Sequence, residues 1–271
     1  MKSVRPIVLA FLAAQPFYAA DLQEIVARAT AVIKSDWAAD PDFAYVERDE
    51  VCGTGASSCT SSKTSRVVMI DDSDYYLPIA VNDQPLSPDR QKAELQKFRN
   101  EVERRKNESA SARAQRIAKF KKEHDENGAI LLDAPDAFAF ELLREETING
   151  HPAYALAATP KKRTGPLSRA DKVLSGMHGT IWIERDTFHV VLVEADVVKP
   201  VPIYGILARV LPGTHIELDL TPANRSTWLV SRFSLTLALA KLVLFKSHQV
   251  TRSTYSDYQL NAAVLEDLLR R

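Results

Sequence analysis

With 271 residues, and 35 Lys and Arg balanced by 35 Asp and Glu, the chain carries no net charge that would draw it to nucleic acid or to an anionic membrane surface. Its 45% of hydrophobic residues is ordinary for a globular protein. A length of about 250 residues after removal of a leader fits one large β domain or two small ones.

The first residues have the layout of a secretory signal. Lys2 and Arg5 open it, Ile7 to Ala14 is a short apolar run, Pro16 breaks the run, and Ala19-Ala20 precede Asp21. Residues 1–20 are therefore expected to be removed and residues 21–271 exported, in a bacterium to the periplasm. The bulky Phe17 or Tyr18, two before each candidate cleavage Ala, departs from the small-x-small ideal, and a buried N-terminal helix is the alternative. The run is too short to span a bilayer, which takes about 20 apolar residues. The nearest later stretch, Leu235 to Phe245, is interrupted by Lys241, so no membrane-spanning segment is expected. The first cysteine is Cys52, too far from the leader for a lipid anchor.

Asp21 to Asp36 reads as an amphipathic helix, with Leu22, Ile25, Val26, Ala29, Val32 and Ile33 at spacings of three and four. Strands follow at Phe43 to Glu47, Arg66 to Ile70 and Tyr75 to Val81, with Asp71 to Asp74 as a turn. Cys52 and Cys59 lie in the loop between the first two. Six intervening residues with two glycines let that loop close, and an exported chain keeps a disulfide, so we expect one here. No His stands at ligand spacing for a metal site.

Pro85 to Asn127 is highly charged and lacks glycine. Ser87 caps a helix with Pro88 at its first position. Leu95, Phe98 and Val102 mark one apolar stripe and Ile117 and Phe120 another, with a break over Lys106 to Ala112. Pairs such as Glu101 and Arg105, four apart, suit a solvated face.

Strands resume at Phe138 to Glu146 and Ala153 to Ala158, joined by the turn signal Asn149-Gly150. After a basic loop, Pro160 to Arg169, strands are expected at Thr180 to Glu184, Phe188 to Glu194, Thr214 to Leu220, Thr227 to Ser234, Leu237 to Lys246 and Val250 to Tyr258. Pro200 to Pro212 is expected as a short helix and Ala262 to Leu269 as a C-terminal one. Short strands at this spacing imply an antiparallel meander: a barrel or a strongly curved sheet.

Chemistry is hard to place on this pattern. The six histidines (His124, His151, His178, His189, His215, His248) are scattered, and His189 sits among apolar neighbours as a structural His would. There is no G-x-S-x-G, P-loop or G-x-G-x-x-G, and Gly53-Thr54-Gly55 is too short a pattern to cradle phosphate. Glu145, Glu146 and Glu184 are carboxylates that can pair in space, which alone is no sign of a hydrolase. No catalytic residue, metal or cofactor is expected. What stands out is apolar density on both faces of strands such as RVVMI (Arg66 to Ile70) and FHVVLV (Phe188 to Val193), where a one-sided sheet would alternate. One face is then covered by helices and the other lines a second apolar volume; whether that volume is an open cavity or a packed core stays open. Candidate lining residues are Val67, Met69, Leu77, Ile79, Trp182 and Val190.

Several segments, in this order, resemble one family. They are FAYVER at the first strand, VNDQPLS before the charged helix, FAFELLREETINGHPAYALAATPK (Phe138 to Lys161), GTIWIERDTFHVVLVEA (Gly179 to Ala195) and YSDYQ near the end. The pattern is similar to that of LolA-like outer-membrane lipoprotein-sorting proteins and their larger relatives, over about residues 21 to 260. The resemblance implies a mainly β (α+β) fold: a curved antiparallel sheet forming an incomplete barrel covered by helices, one domain over 21–271 with a helical excursion at about 88–127. It implies a non-enzymatic periplasmic carrier whose apolar face holds the acyl chains of lipoproteins or another lipid, passed between an envelope donor and acceptor. A sensor of mislocalised lipoproteins with the same fold, and an envelope hydrolase, are the alternatives. His151 stands where relatives often have Arg, and Asp83 where they often have Gly.

Overall fold

The computed structural model describes residues 18–53, 59–162, 172, 174–202, 208–241 and 245–270. The expected leader lies outside the described residues save Tyr18 to Ala20, and so does the basic loop beyond Lys162. The first helix, α1 (Tyr18–Ala39), starts earlier than its apolar periodicity indicates and leads through a 3-10 turn (Asp40–Asp42) into a meander of β1 (Phe43–Cys52), β2 (Cys59–Ile70), β3 (Ser73–Val81) and β4 (Gln84–Pro85). The charged segment forms α2 (Pro88–Lys106) and α3 (Ala110–Leu132), followed by one turn, α4 (Ala134–Ala137). A second meander comprises β5 (Phe138–Ile148), β6 (His151–Pro160), β7 (Met177–Glu184) and β8 (Val190–Val197). The chain ends in β9 (Val201–Pro202), β10 (Ala208–Val210), β11 (His215–Pro222), β12 (Trp228–Lys241), β13 (Phe245–Leu260) and α5 (Asn261–Arg270).

All thirteen strands among the described residues belong to one antiparallel sheet, in the order β4-β3-β2-β1-β13-β12-β11-β8-β7-β6-β5, with β9 and β10 attached beside β12. The sheet is not closed: β4 and β5 are its two ends, and the fold is an incomplete barrel covered by helices. Three late strands, β11 to β13, bridge the two meanders by pairing β11 with β8 and β13 with β1.

Three hairpins turn at Asp71-Asp72 (φ 50° and 65°), Asn82-Asp83 (50° and 61°) and Asn149-Gly150 (50° and 84°). Both central residues have positive φ, as the type I′ turns that match strand twist require. Asp83 accepts its left-handed position, where Gly is the default, and its carboxylate takes two hydrogen bonds from Arg48 at 2.8 and 2.9 Å.

Two expectations are corrected. Thr227 to Ser234 and Leu237 to Lys246 are not two strands: Trp228 to Lys241 is one, because no Gly, Pro, Asn or Asp interrupts it. The segment from Pro200 to Pro212 is not helical in its described parts, since Val201–Pro202 and Ala208–Val210 pair with each other and Ala208–Val210 with the end of β12.

The helices divide between the two faces of the sheet. α1 packs Ile25, Ala29 and Ile33 on a core with Ala155, Leu156, Ile183, Val191 and Trp228. α2 and α5 cover the outer face of the first meander, where Phe98, Val102 and Leu268 meet Ala44, Val68, Ile70 and Leu77. The first residue of α5, Asn261, bonds both the N–H and the C=O of Met69 through its side chain, at 2.8 and 2.9 Å. As expected, Ser87 caps α2 and accepts the Arg90 N–H; Ser109 does the same for α3. The break between α2 and α3 is held to the β2–β3 turn by two arginines. Arg105, 7% exposed, donates to the Ile70, Ser73 and Asp74 carbonyls, and Arg116 to the Asp71 carbonyl and the Ser73 hydroxyl. The reading of this face as solvated is therefore wrong for Arg105. With the helical hairpin pinned there, α2 lies on the outer face and α3 crosses the other.

Cys52 and Cys59 form a disulfide that joins the ends of β1 and β2.

Candidate functional site

Between α3 and the inner face of the sheet lies a cavity of about 670 Å³. β1 contributes Phe43, Tyr45 and Glu47, and β2 contributes Val67 and Met69, each set at the alternating positions that share one face of a strand. Asp74 and Tyr76 of β3, Ile216 and Leu218 of β11, Val230 and Phe233 of β12, and Ser253, Tyr255 and Tyr258 of β13 complete the floor. The cover is Phe120, Glu123, His124, Glu126, Asn127 and Leu131 of α3, with Trp37, Asp40 and Pro41 from the end of α1 closing one side. Tyr76 is 43% exposed, so the cavity opens to solvent.

β2 shows why a strand is apolar on both sides. Val67 and Met69 look into the cavity, while Val68 and Ile70 are packed beneath α2 and α5.

Apart from Tyr76, the polar groups of the floor are half-buried, and those of α3 face the opening. Tyr45 packs at 5.8 Å from Tyr255 and 5.4 Å from Tyr258, ring centre to ring centre. The Tyr258 hydroxyl donates to the Val230 carbonyl at 2.5 Å. Burial lifts the phenols of Tyr45, Tyr76, Tyr255 and Tyr258 above their ordinary value, so all four stay neutral. Burial, followed by the nearby Asp49, pushes the Glu47 carboxyl up to about 8, and burial also raises that of Asp74. His124 sits against Trp37 at 4.4 Å and contacts Asp40 through Nε2 at 3.2 Å. The buried Trp37 Nε1 has no hydrogen-bond partner among the described residues. The indole lies so close to Gly128 of α3 that a Cβ there would fall 2.5 Å from it.

The other candidate residues lie elsewhere. Val190 borders a separate space of about 20 Å³ between α1 and the sheet, enough for a single water. Leu77 faces the opposite side, under α2, since it neighbours the inward Tyr76. Trp182 is core, its indole N–H donating to Glu146 at 2.8 Å. Ile79 is half-buried at the end of the β3 hairpin, where its carbonyl accepts from the Leu86 N–H. Phe43, Tyr45, Tyr255 and Tyr258 were missed: FAYVER places Phe43 and Tyr45 at strand spacing, but Tyr255 and Tyr258 are three apart and share a face only because the strand is irregular at Asp257, where φ is 54°.

The carboxylates considered for catalysis have structural partners. Glu146 is held by Trp182 and Arg144, and Glu184 accepts from the Asp186 N–H and from both the N–H and hydroxyl of Thr187. His189 is a core histidine, stacked on Trp228 and bonded to Thr187 and Ser226. Among the described residues, no group of His, Cys, Asp and Glu could hold a metal ion. No described helix is long and apolar enough to cross a membrane.

No family model matches the sequence, and no curated protein matches it significantly. Among solved structures, the chain is similar to a LolA superfamily protein from Nitrosomonas europaea, with 12% identity and a TM-score of 0.35 over 88% of this chain and 92% of that one. A domain described as an outer membrane lipoprotein-sorting protein, from Vibrio parahaemolyticus, gives 12% identity and 0.34 over 91% and 100%. A DUF1329 family protein from Desulfovibrio piger gives 12% and 0.34 over 87% and 93%. The first two names are those of the family that the sequence motifs resemble. Likeness at this level assigns neither membership nor function.

Proposed function

We propose that this chain is an exported carrier that holds the acyl chain of a lipoprotein, or of another lipid, in the cavity between α3 and the sheet, without covalent chemistry. The observation that carries the reading is the cavity. Its volume of about 670 Å³ falls in the range of roughly 300–1,000 Å³ common for small-molecule sites, and its wall is mostly apolar and aromatic. Open apolar surface of this kind is costly in water unless something fills it. Burying a chain of about twelve methylenes at ~0.8 kcal/mol each gives roughly 10 kcal/mol before association costs. Those costs, about 4 kcal/mol or more, leave at most about 6 kcal/mol, an affinity of roughly tens of micromolar or weaker. Binding so modest suits cargo that must be surrendered to an acceptor with its own apolar site. The leader-like N-terminus supports the periplasm as the place of work. The test is native mass spectrometry of the chain purified without detergent from its own envelope. A bound lipid mass, released on denaturation, is expected; protein that carries no lipid and binds no acyl probe would end the reading.

A further inference from the structure

Acyl burial leaves the polar end of the ligand undefined, and the inference that follows rests on the carrier reading. We propose that the cavity selects amphiphiles with an ammonium head and rejects those with a carboxylate head. Asp40, Glu47, Asp74, Glu123 and Glu126 line the cavity, with no Lys or Arg among the described lining residues; Glu123 and Glu126 pair with Lys119 and Lys122 on the outside of α3, each at 3.8 Å, so the inner charge is that of Asp40, Glu47 and Asp74. Asp40 has His124 beside it. Glu47, deeper in, faces Asp49 of its own strand, Asp74 of β3 and Tyr255 directly opposite on β13, and the cation acting on it is the exposed Lys63 of β2. The cavity thus desolvates a carboxyl group while supplying no buried cation for it, and the carboxyl is pushed up to about 8 as a result.

The rings next to Glu47 point the same way. Tyr255 and Tyr258 lie 5.8 and 5.4 Å from Tyr45, ring centre to ring centre, and all three are half-buried. Aromatic faces carry negative charge density, and an ammonium between such faces and a carboxylate is held by both. A carboxylate head would instead meet acidic groups and no lining cation, and its own desolvation would go uncompensated, which is how sites reject a wrong ligand. The tail then has the apolar wall of Val67, Met69, Ile216 and Leu218.

The experiment compares three twelve-carbon ligands, each below its micelle concentration: dodecyltrimethylammonium, laurate and monolaurin. Calorimetric titration into the wild-type chain needs no variant; the ammonium ligand is expected to bind about tenfold or more tighter than laurate, the scale of a desolvated cation–aromatic contact. In Glu47→Gln with Asp74→Asn the preference for the ammonium ligand should shrink by roughly threefold or more, since two carboxyl groups beside the rings are gone while the rings stay. Laurate binding as tightly as the ammonium ligand, or a preference left unchanged by the double substitution, overturns the inference and leaves the carrier reading standing. Binding of none of the three overturns both.

Discussion

Arg105 takes a full charge into a place that is 7% exposed and uses it on three carbonyls of the β2–β3 turn and on Glu101. Arg105→Met strands those acceptors, so urea unfolding should show a loss of about 2–4 kcal/mol, whereas Arg104→Met, on the exposed side of the same helix, should stay within about 0.5 kcal/mol. Equal effects would mean that the turn does not anchor the helices. Asp36 is a second buried charge-bearing group, raised from 3.8 to about 7 by burial against an opposing hydrogen bond from the Trp228 backbone. His189, 3.6 Å away, is itself lowered by burial and offers no firm cation in compensation. The folded chain therefore keeps this proton where the unfolded chain has released it, and the contribution of Asp36 to stability falls as pH rises from about 4 to about 7. Asp36→Asn should gain stability relative to wild type across that window and hold the gain above it; a difference that is flat with pH contradicts the assignment. Neither role was legible in the sequence. The i, i+4 spacing of Glu101 and Arg105 reads as solvated, because the carbonyls that bury Arg105 lie more than thirty residues away.

At the scale of elements, β2 makes the sharpest prediction, because adjacent residues face different surroundings. Val68 is fully buried beneath α2 and α5, and Met69 borders the cavity. Val68→Glu should unfold the chain, as an unpaired charge in a packed core does, while Met69→Glu should keep its circular dichroism and lose acyl binding. If Met69→Glu unfolds instead, the side chain belongs to packed core. The disulfide closes a short loop, and reducing it should cost about 2–3 kcal/mol without loss of the sheet; a larger loss would mean that it holds more than the tip of one hairpin. Much at this scale was legible. Ser87 and Pro88 placed the start of α2, Asn149-Gly150 placed a hairpin, and the motif acid and threonine of GTIWIERDT prove to be the two ends of a hydrogen-bonded turn, Glu184 and Thr187. Gly179 of the same motif sits where a Cβ would strike the Glu194 carbonyl at 2.4 Å. Which face of each strand lines the cavity was not legible, since alternation alone does not label the faces and a shift of one residue exchanges them. Hence Val67 and Met69 prove to line the large cavity, and Leu77, Ile79, Trp182 and Val190 do not.

For the whole molecule, the order of the strands explains why a cavity exists. The helical excursion leaves the sheet at one end, β4, and re-enters at the other, β5, so its return leg α3 must cross the inner face rather than pack beside an edge. A sheet that closed on itself would fill its interior with side chains; this one stays open, and a helix roofs the gap. The fold class follows from strand spacing and turn residues. The pairing of β13 with β1 joins the two ends of the chain, and that of β11 with β8 passes over β9 and β10; neither leaves a local trace in the sequence. The central claim is that the roofed gap is a binding site. Its most direct test is titration of wild type and Met69→Glu with a fluorescent acyl probe that has an uncharged head, with circular dichroism on both. Saturable binding by wild type at roughly tens of micromolar probe, lost in a folded Met69→Glu, is the predicted result. Equal binding by the two proteins would place the acyl site elsewhere, and no binding by either would contradict the account.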